Sequence, residues 1–524
     1  MRCFLILILF ISGQVIYSQD YINQKYDRQR IIMPFLGPGC LNLDTTNHVY
    51  INGVIFDFRS DTLEQHPVDT FEQNVAVPYY ILFEAAQICN KEGKITAYFN
   101  GGELWDRFQK KILVDIFMNA AEDQDFALAY LSNSSLIIPL PNQDSIYLLI
   151  GCTDLKMDDR YGVRAGEQIS TVTFREMQDG SLKILSRNRG LHQSKYTFES
   201  AMTAVRHANG RDWWVVCPKR WGKYFNIFRL DPQGLHFSHE SSVQDTILDG
   251  GLGAVFSPDG QFYTRGEITK HISMYQKINK IQIFPFDRCN GTFGEPVSFQ
   301  LPLEDSSSFG QGIFDRTSRY LYISTCASLY QADMYAGDIP ASLIKVCGYD
   351  QDLKDRNQFL CIGSGFLAPD GKIYIFDGRN SFRTTVINNP SERGLACDAR
   401  YAHLMKLSCT GMSLGNMPDF NLGPADGTVC DSLGLDAVSI HRNVSSSVPL
   451  TISPSPTIGD CTVMLPSQGG RLAVYDARGH ITLSYIIQNY QMEQALSLPQ
   501  GVYYIAYHST DGLINAGGKV VVLR

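Results

Sequence analysis

The sequence predicts an all-β chain, a β-propeller followed by a small β-sandwich. A hairpin unit recurs through the middle of the chain. The last 75 or so residues alternate apolar and polar as short paired strands do. The composition is also rich in residues suited to pleated surfaces and tight turns, with 44 glycines, 27 tyrosines and 29 phenylalanines.

Taken in order, the chain opens with the pattern of a signal peptide over residues 1–18. Arg2 supplies the charge, Phe4 to Ile11 the apolar run and Ser18 the small residue before the cut. That run is too short to span a bilayer, so no transmembrane segment is expected. The expectation is export through the Sec route into the periplasm, and a product secreted or held at the outer cell surface. Thirteen cysteines, one of them (Cys3) inside the leader, leave an even number in a compartment that permits disulfides. The region from Cys326 to Cys430 is their expected location.

The repeat lies between residues 80 and 400, within a propeller expected over 19–435. Its turns are Asn90-Lys-Glu-Gly, Asn142-Gln-Asp, Asn209-Gly-Arg-Asp, Ser257-Pro-Asp-Gly, Asp315-Arg-Thr-Ser and Ala368-Pro-Asp-Gly. Each is preceded by an apolar strand and followed by one carrying an aromatic: Tyr98, Tyr147, Trp213 with Trp214, Tyr263, Tyr322 and Tyr374. Turns of the Asp-Gly and Asn-Gly kind supply the positive φ a hairpin needs. A hairpin recurring about every 50 to 70 residues is the period of propeller blades, which bury their faces only by stacking. Six blades are expected, or seven if Val49 to Phe58 opens a blade of its own. Two β-sandwiches with ordinary hairpins are the alternative architecture.

After a Ser/Val-rich linker at 436–448 comes a separate module at 449–524. Its strands read Leu472 to Tyr475, Ile481 to Ile486, Gly501 to Tyr507 and Lys519 to Leu523. The order Pro454-Ser-Pro-Thr457, Arg471 to Gly479, Leu498 to Ile505 and Lys519 to Arg524 resembles the C-terminal sorting domain of the type IX (Por) secretion system of Bacteroidetes. The resemblance implies that Pro454, Pro456, Tyr475, Asp476, Gly479, Pro499, Gly501, Tyr503 and Lys519 carry the sorting motif, with the secretion machinery as partner. The usual Pro-Asn-Pro opening stands here as Pro454-Ser455-Pro456, which keeps the turn tendency. The middle of the chain resembles exported propeller proteins of the same phylum through Gly53 to Phe58, Thr203 to Val216, Leu367 to Tyr374, Val386 to Pro390 and Met417 to Pro424. That group implies a fold and a compartment, and no activity.

Motifs that would name a reaction fail on their context. Gly411-Met-Ser-Leu-Gly415 has the nucleophile-elbow spacing, yet Pro418, Gly423 and Pro424 deny it the helix it needs. Asp154 to Asp159 puts Lys156 where a calcium loop wants an oxygen. His236 and His239 would face opposite sides of a strand. No catalytic residue, metal site or cofactor is therefore expected. A net charge of −8 without a basic stripe argues against nucleic acid. Trp213, Trp214 and Trp221, beside Arg211, Lys219 and Arg220, are the one candidate platform for a glycan or protein ligand. The alternation of a strand would bury one of the adjacent pair and leave the other partly exposed. The expected function is a non-catalytic binding propeller. An extracellular propeller enzyme acting on polysaccharide or peptide at the channel mouth is the alternative, and a structural surface component a third reading.

Overall fold

A computed structural model of the 524-residue chain describes residues 25–33, 42–43, 48–51, 54–60, 63–67, 71–74, 86–99, 103–108, 110–113, 135–158, 163–198, 202–219, 222–247, 250–270, 277–302, 309–325, 328–348, 362–377, 384–402, 413–414, 416–425, 427–431, 433, 448–466, 469–476, 481–488, 491–509 and 515–523. The chain divides into two compact units, Met1–Ala437 and Val438–Arg524. Among the described residues, seven sheets of propeller type make up the first.

Six of these blades follow the repeat. Blade 2 begins with Ala86–Cys89 and Ile95–Phe99, blade 3 with Ser135–Pro139 and Ile146–Asp158, and blade 4 with Thr203–Arg206 and Trp213–Pro218. Blade 5 begins with Gly250–Phe256 and Phe262–Lys270, blade 6 with Phe309–Phe314 and Tyr320–Thr325, and blade 7 with Ile362–Leu367 and Ile373–Asp377. All pair antiparallel across the predicted turns. The first two strands are buried on both faces because neighbouring blades cover them. Trp213–Pro218 and Tyr320–Thr325 are buried at every position, whereas the outer Gly234–Ser242 is mostly exposed or half-buried. The repeat aromatics are the packing units of this stack: Tyr98, Tyr147, Tyr263, Tyr322 and Tyr374 are all buried.

The seventh sheet, blade 1, is assembled from both ends of the unit. Its strands run in the order Ser413–Leu414, Gln29–Met33, Val54–Asp57 and Glu64–Pro67. Ile32 sits opposite Leu414 and Met33 opposite Ser413, so a short late strand takes the innermost place. The ring therefore has seven blades where six hairpins were expected, because this blade has no hairpin between its first two strands. The stretch from Val49 to Phe58 is not one strand. His48–Ile51 pairs with Phe71–Asn74 in a small separate sheet, while Val54–Asp57 belongs to the blade. Aromatic rings close the circle, with Phe56 against Phe376 at 5.7 Å and Phe58 against Phe366 at 6.3 Å. On the other side of blade 1, Ile95 donates its backbone N–H to Gln29 Oε1 at 2.9 Å in blade 2.

The second unit has a five-stranded sheet (Val448–Pro449, Asn515–Val522, Gly501–Ser509, Gly470–Tyr475, Ile481–Ile487) and a three-stranded one (Ile452–Ser453, Asp460–Met464, Glu493–Ser497). Both sheets contribute to one core, which includes Val463, Leu472, Val474, Leu496, Ile505, Tyr507 and Val520.

Candidate functional site

A propeller offers two ends of its central channel. At one end the innermost strands begin; at the other they turn back into the second strands. The strands that follow those turns in blades 3 and 5 are long. Ile146–Asp158 pairs with Val163–Glu176, and Phe262–Lys270 with Lys277–Asp287. Most of the loops that join blades at the beginning end lie outside the described residues; Val243 to Ile247, between blades 4 and 5, is described.

One segment runs along the channel, from the end where the innermost strands begin to the turn end. Beyond the blade-1 strand Ser413–Leu414, Asn416 bridges Ala86 of blade 2 in parallel fashion. Its side-chain Nδ2 donates to Ser135 O of blade 3 at 3.0 Å and to Met202 O ahead of blade 4 at 2.8 Å. Four residues later the Phe420 ring, fully buried, meets Tyr26 at 5.5 Å and Trp213 of blade 4 at 5.7 Å. Arg288 of blade 5 donates to Gly423 O, and Ala425 N–H donates to Ala208 O at 2.8 Å. A disulfide between Cys430 and Cys289 then fastens the end of the segment to blade 5. Residues 416–425 and 427–430 thus belong to a strap tied to the blade-1 strand at one side of the channel and by a covalent bond at the other. One cysteine of the pair, Cys289, lies before the region where bridges were expected. Cys89, Cys217, Cys397 and Cys461 are free thiols.

Beside the strap lies a cluster of charge. Asp27 follows Tyr26 and Asp419 precedes Phe420, near enough for the Asp419 charge to act on Asp27. Burial pushes the Asp27 carboxyl up to about 6, Asp419 pushes it further, and Arg28 and Arg30 oppose the rise. Its Oδ1 is shut off from water without a hydrogen-bond partner. Burial also raises Asp419, against the N–H of Asn421 and the charges of Arg316 and Arg206. As a residue Asp419 keeps more surface in water than Asp27, so screening weakens its share. Three of the nearby guanidinium groups are engaged elsewhere, while Arg28 Nε is buried without a hydrogen-bond partner. Arg206 donates to Arg211 O at 3.0 Å and lies 3.9 Å over the Trp213 ring. Arg316 donates to Ala368 O and Pro369 O, each at 3.0 Å. Arg30 lies 3.9 Å over Phe366. Among the described residues no group of three or more His, Cys, Asp or Glu is placed to hold a metal ion.

The tryptophans are built into the blades. Trp213 is fully buried in the core between blades 3 and 4, and Trp214, 4% exposed, in the core between blades 4 and 5. Trp214 Nε1 donates to Arg288 O at 2.7 Å. Neither ring offers a face to solvent, because a propeller covers both faces of a second strand and alternation there frees neither side. Trp221 and Arg220 lie outside the described residues. Of the described basic neighbours, Lys219 pairs with Glu240 and Arg211 serves a buried carboxylate. Asp212 accepts from Arg211 Nε at 2.7 Å, Arg229 Nη2 at 2.6 Å and Asn209 Nδ2 at 2.9 Å. Burial favours its neutral form, and these three bonds nevertheless hold the carboxyl below its ordinary value.

The other motifs fall as follows. Ser413 and Leu414 of the elbow-like pattern form the strand that closes blade 1, a strand where a loop was expected; Gly411 and Gly415 lie outside the described residues. Asp154 and Asp158 belong to the strand Ile146–Asp158, and Asp159 lies outside the described residues. His236 Nε2 pairs with Asp231 at 3.3 Å and His239 Nε2 with Gly291 O at 3.1 Å, so the two imidazoles have separate partners.

In the second unit, Pro454 and Pro456 are exposed, and each follows a cis peptide bond. Next to them, Thr457 N–H donates to Val521 O at 2.9 Å, Leu523 N–H to Thr457 O at 2.7 Å and Leu498 N–H to Gly459 O at 2.8 Å. Pro454, Pro456, Pro499 and Gly501 are thereby gathered towards one pole of the sandwich, where Ile458 is 88% exposed and Leu523 51%. Tyr475, Tyr504 and Lys519 lie side by side across three strands, with the Lys519 ammonium 6.0 Å from the Tyr504 ring. Tyr503 points into the core. Asp476, half-buried, follows the strand Gly470–Tyr475, and Gly479 lies outside the described residues.

No protein-family model matches the chain, and no curated protein matches it. Among solved structures it is similar to PorZ, a surface component of the type IX secretion system of Porphyromonas gingivalis, at 11% identity and a TM-score of 0.37. That match covers 92% of this chain, which spans 64% of the length of PorZ. A putative 6-phosphogluconolactonase from Bacteroides uniformis is 12% identical with a TM-score of 0.39, covering 74% of this chain and 98% of that one. The periplasmic gluconolactonase of Pseudomonas aeruginosa is also 12% identical with a TM-score of 0.39, covering 74% and 97%.

Proposed function

We propose that the chain is an exported binding propeller whose C-terminal unit, within Val438–Arg524, is the sorting domain that hands it to type IX secretion. The observation that carries this reading is the independence of that unit. It has its own two sheets and its own core, as a removable address requires. In further support, motif residues distant in sequence (Pro454, Pro456, Pro499 and Gly501) come together at one pole, beside exposed Ile458 and Leu523. An exposed apolar tip suits recognition by another protein. Under this reading residues 1–18 are removed on export and the mature protein is released or displayed at the cell surface.

For the propeller, binding is the reading the described end of the channel supports best. The strap and the blade core enclose Tyr26 and Phe420, and the neighbouring carboxylates are crowded by arginines already bonded to carbonyl groups. The ligand, a glycan or a protein, would then meet the end where the innermost strands begin. Deleting residues 449–524 tests the export half. The truncated protein should accumulate in the periplasm, and its unchanged appearance outside the cell would sink the proposal.

A further inference from the structure

The five-stranded sheet of the second unit has one face in the core and one in water. Leu472, Val474, Tyr503, Ile505 and Val520 face the core, so alternation turns their neighbours outward. The strand register sorts those outward residues into rows that cross the sheet. Lys519, Tyr504 and Tyr475 form one row, as direct partners on successive strands. Two residues along each strand the next row is Gly517, Ala506, Ala473 and Ser484. Beyond it Arg471 stands opposite Ile486. The middle row is low, since it holds no side chain longer than that of serine. The rows beside it stand tall: Tyr504 is 50% exposed and Ile486 82%, and both Arg471 and Lys519 are exposed. Tyr475 and Arg471 are four residues apart on one strand, a span of roughly 13 Å, which admits a single extended chain between the walls.

We propose that this trough seats an acidic, extended polypeptide segment of a type IX secretion component. The inference rests on the reading of this unit as a sorting domain, and adds where it docks and against what chemistry.

Charge selects the occupant. Among the described residues of the outward face, Arg471 and Lys519 carry charge and none is acidic, on a chain whose net charge is −8. Arg471 Nε donates to Ser484 Oγ at 3.0 Å, which holds the guanidinium at the edge of the trough. Its terminal nitrogens form the fork that matches a carboxylate. On the opposite wall the Lys519 ammonium lies 6.0 Å from the Tyr504 ring. The paired tyrosines offer rigid contact area at little cost in side-chain entropy. The floor points the same way. A Cβ on Gly517 would meet nothing closer than 3.6 Å, so packing does not demand a glycine there. A missing side chain in an open row lets another backbone approach the sheet. A protein occupant is favoured over a glycan because Tyr475 and Lys519, two residues of the sorting resemblance, stand in the same wall.

Export of the full chain in a bacterium with a working type IX system tests the trough, with the protein quantified outside the cell and in the periplasm. Arg471→Glu combined with Lys519→Glu should lower the extracellular amount roughly tenfold or more and raise the periplasmic amount. Arg471→Lys combined with Lys519→Arg keeps both charges and should be exported to within about twofold of the wild type. Gly517→Arg adds positive charge yet fills the trough, and should block export as the charge reversal does. Thermal denaturation of each variant separates lost docking from lost folding, and if the charge-reversed chain does not fold, Gly517→Arg decides. Wild-type export of either blocking variant would overturn the proposal. So would a charge-reversed chain that leaves the cell but passes from the cell surface into the medium, the behaviour of a face that holds a surface glycan. Deleting residues 449–524 tells the two failures apart: continued export of the deleted chain sinks the sorting reading and the trough with it, whereas export of the variants alone sinks the trough.

Discussion

Phe420 meets Trp213 edge-on at 5.7 Å, one ring on the strap and the other on the second strand of blade 4. With Tyr26 on its other flank, Phe420 joins the last part of the propeller unit to its first part and to its middle. Phe420→Ala empties a fully buried site and removes both ring contacts. The propeller transition in chemical denaturation should lose about 3–5 kcal/mol, with the transition of the C-terminal unit unmoved.

Cys289 and Cys430 close a loop with a sequence separation of 141. Replacing both by Ser frees the unfolded chain and should cost up to ~5 kcal/mol of propeller stability on a chain-entropy basis. Denaturation with and without reductant checks this: the wild type should shift under reductant and the double variant should not.

Gly260 turns the blade-5 hairpin at φ +71°, and a Cβ there would sit 2.9 Å from both Leu422 of the strap and Val205 of blade 4. Gly260→Ala should therefore destabilise by roughly 2–4 kcal/mol, combining left-handed strain with overpacking. Thermal denaturation of the propeller would show the loss.

His207 makes the stability of the propeller depend on pH. Its Nδ1 accepts the Asn209 N–H at 2.9 Å, a bond only the neutral ring can make. Burial and the charge of Arg229 lower its pKa to about 4 from 6.5. For a base with a depressed folded pKa, stability is present above the unfolded value and is lost as pH falls from 6.5 towards 4. The loss should reach up to ~3 kcal/mol. His207→Asn, which keeps an acceptor but cannot titrate in this range, should flatten that part of the stability profile, measured by denaturation at stepped pH.

The parts of the fold legible in the sequence were those with a local cause. Hairpin turns such as Ser257 to Gly260, followed by Tyr263, announce themselves within a few residues, and so do the alternating strands of the C-terminal unit. Blade 1 was hidden because its innermost strand, Ser413–Leu414, pairs with Ile32 and Met33 from the far end of the unit. The same separation concealed the Cys289–Cys430 bond. One local signal pointed to the strap, the run Met417 to Pro424, though a sequence gives no sign that it runs along a channel. Trp213 and Trp214 were misjudged for another reason. Alternation sorts side chains between core and solvent only when one face of a sheet is open, and in a propeller both faces of the second strand are core.

The central claim is that the C-terminal unit is a sorting domain, and its separate core makes a direct test practicable. Residues 438–524 should be fused behind an unrelated, Sec-exported reporter enzyme in a bacterium with a working type IX system, and the reporter assayed outside the cell and in the periplasm. The account predicts reporter activity outside the cell that disappears when the secretion machinery is inactivated. A fusion that folds, retains activity and stays in the periplasm would contradict it.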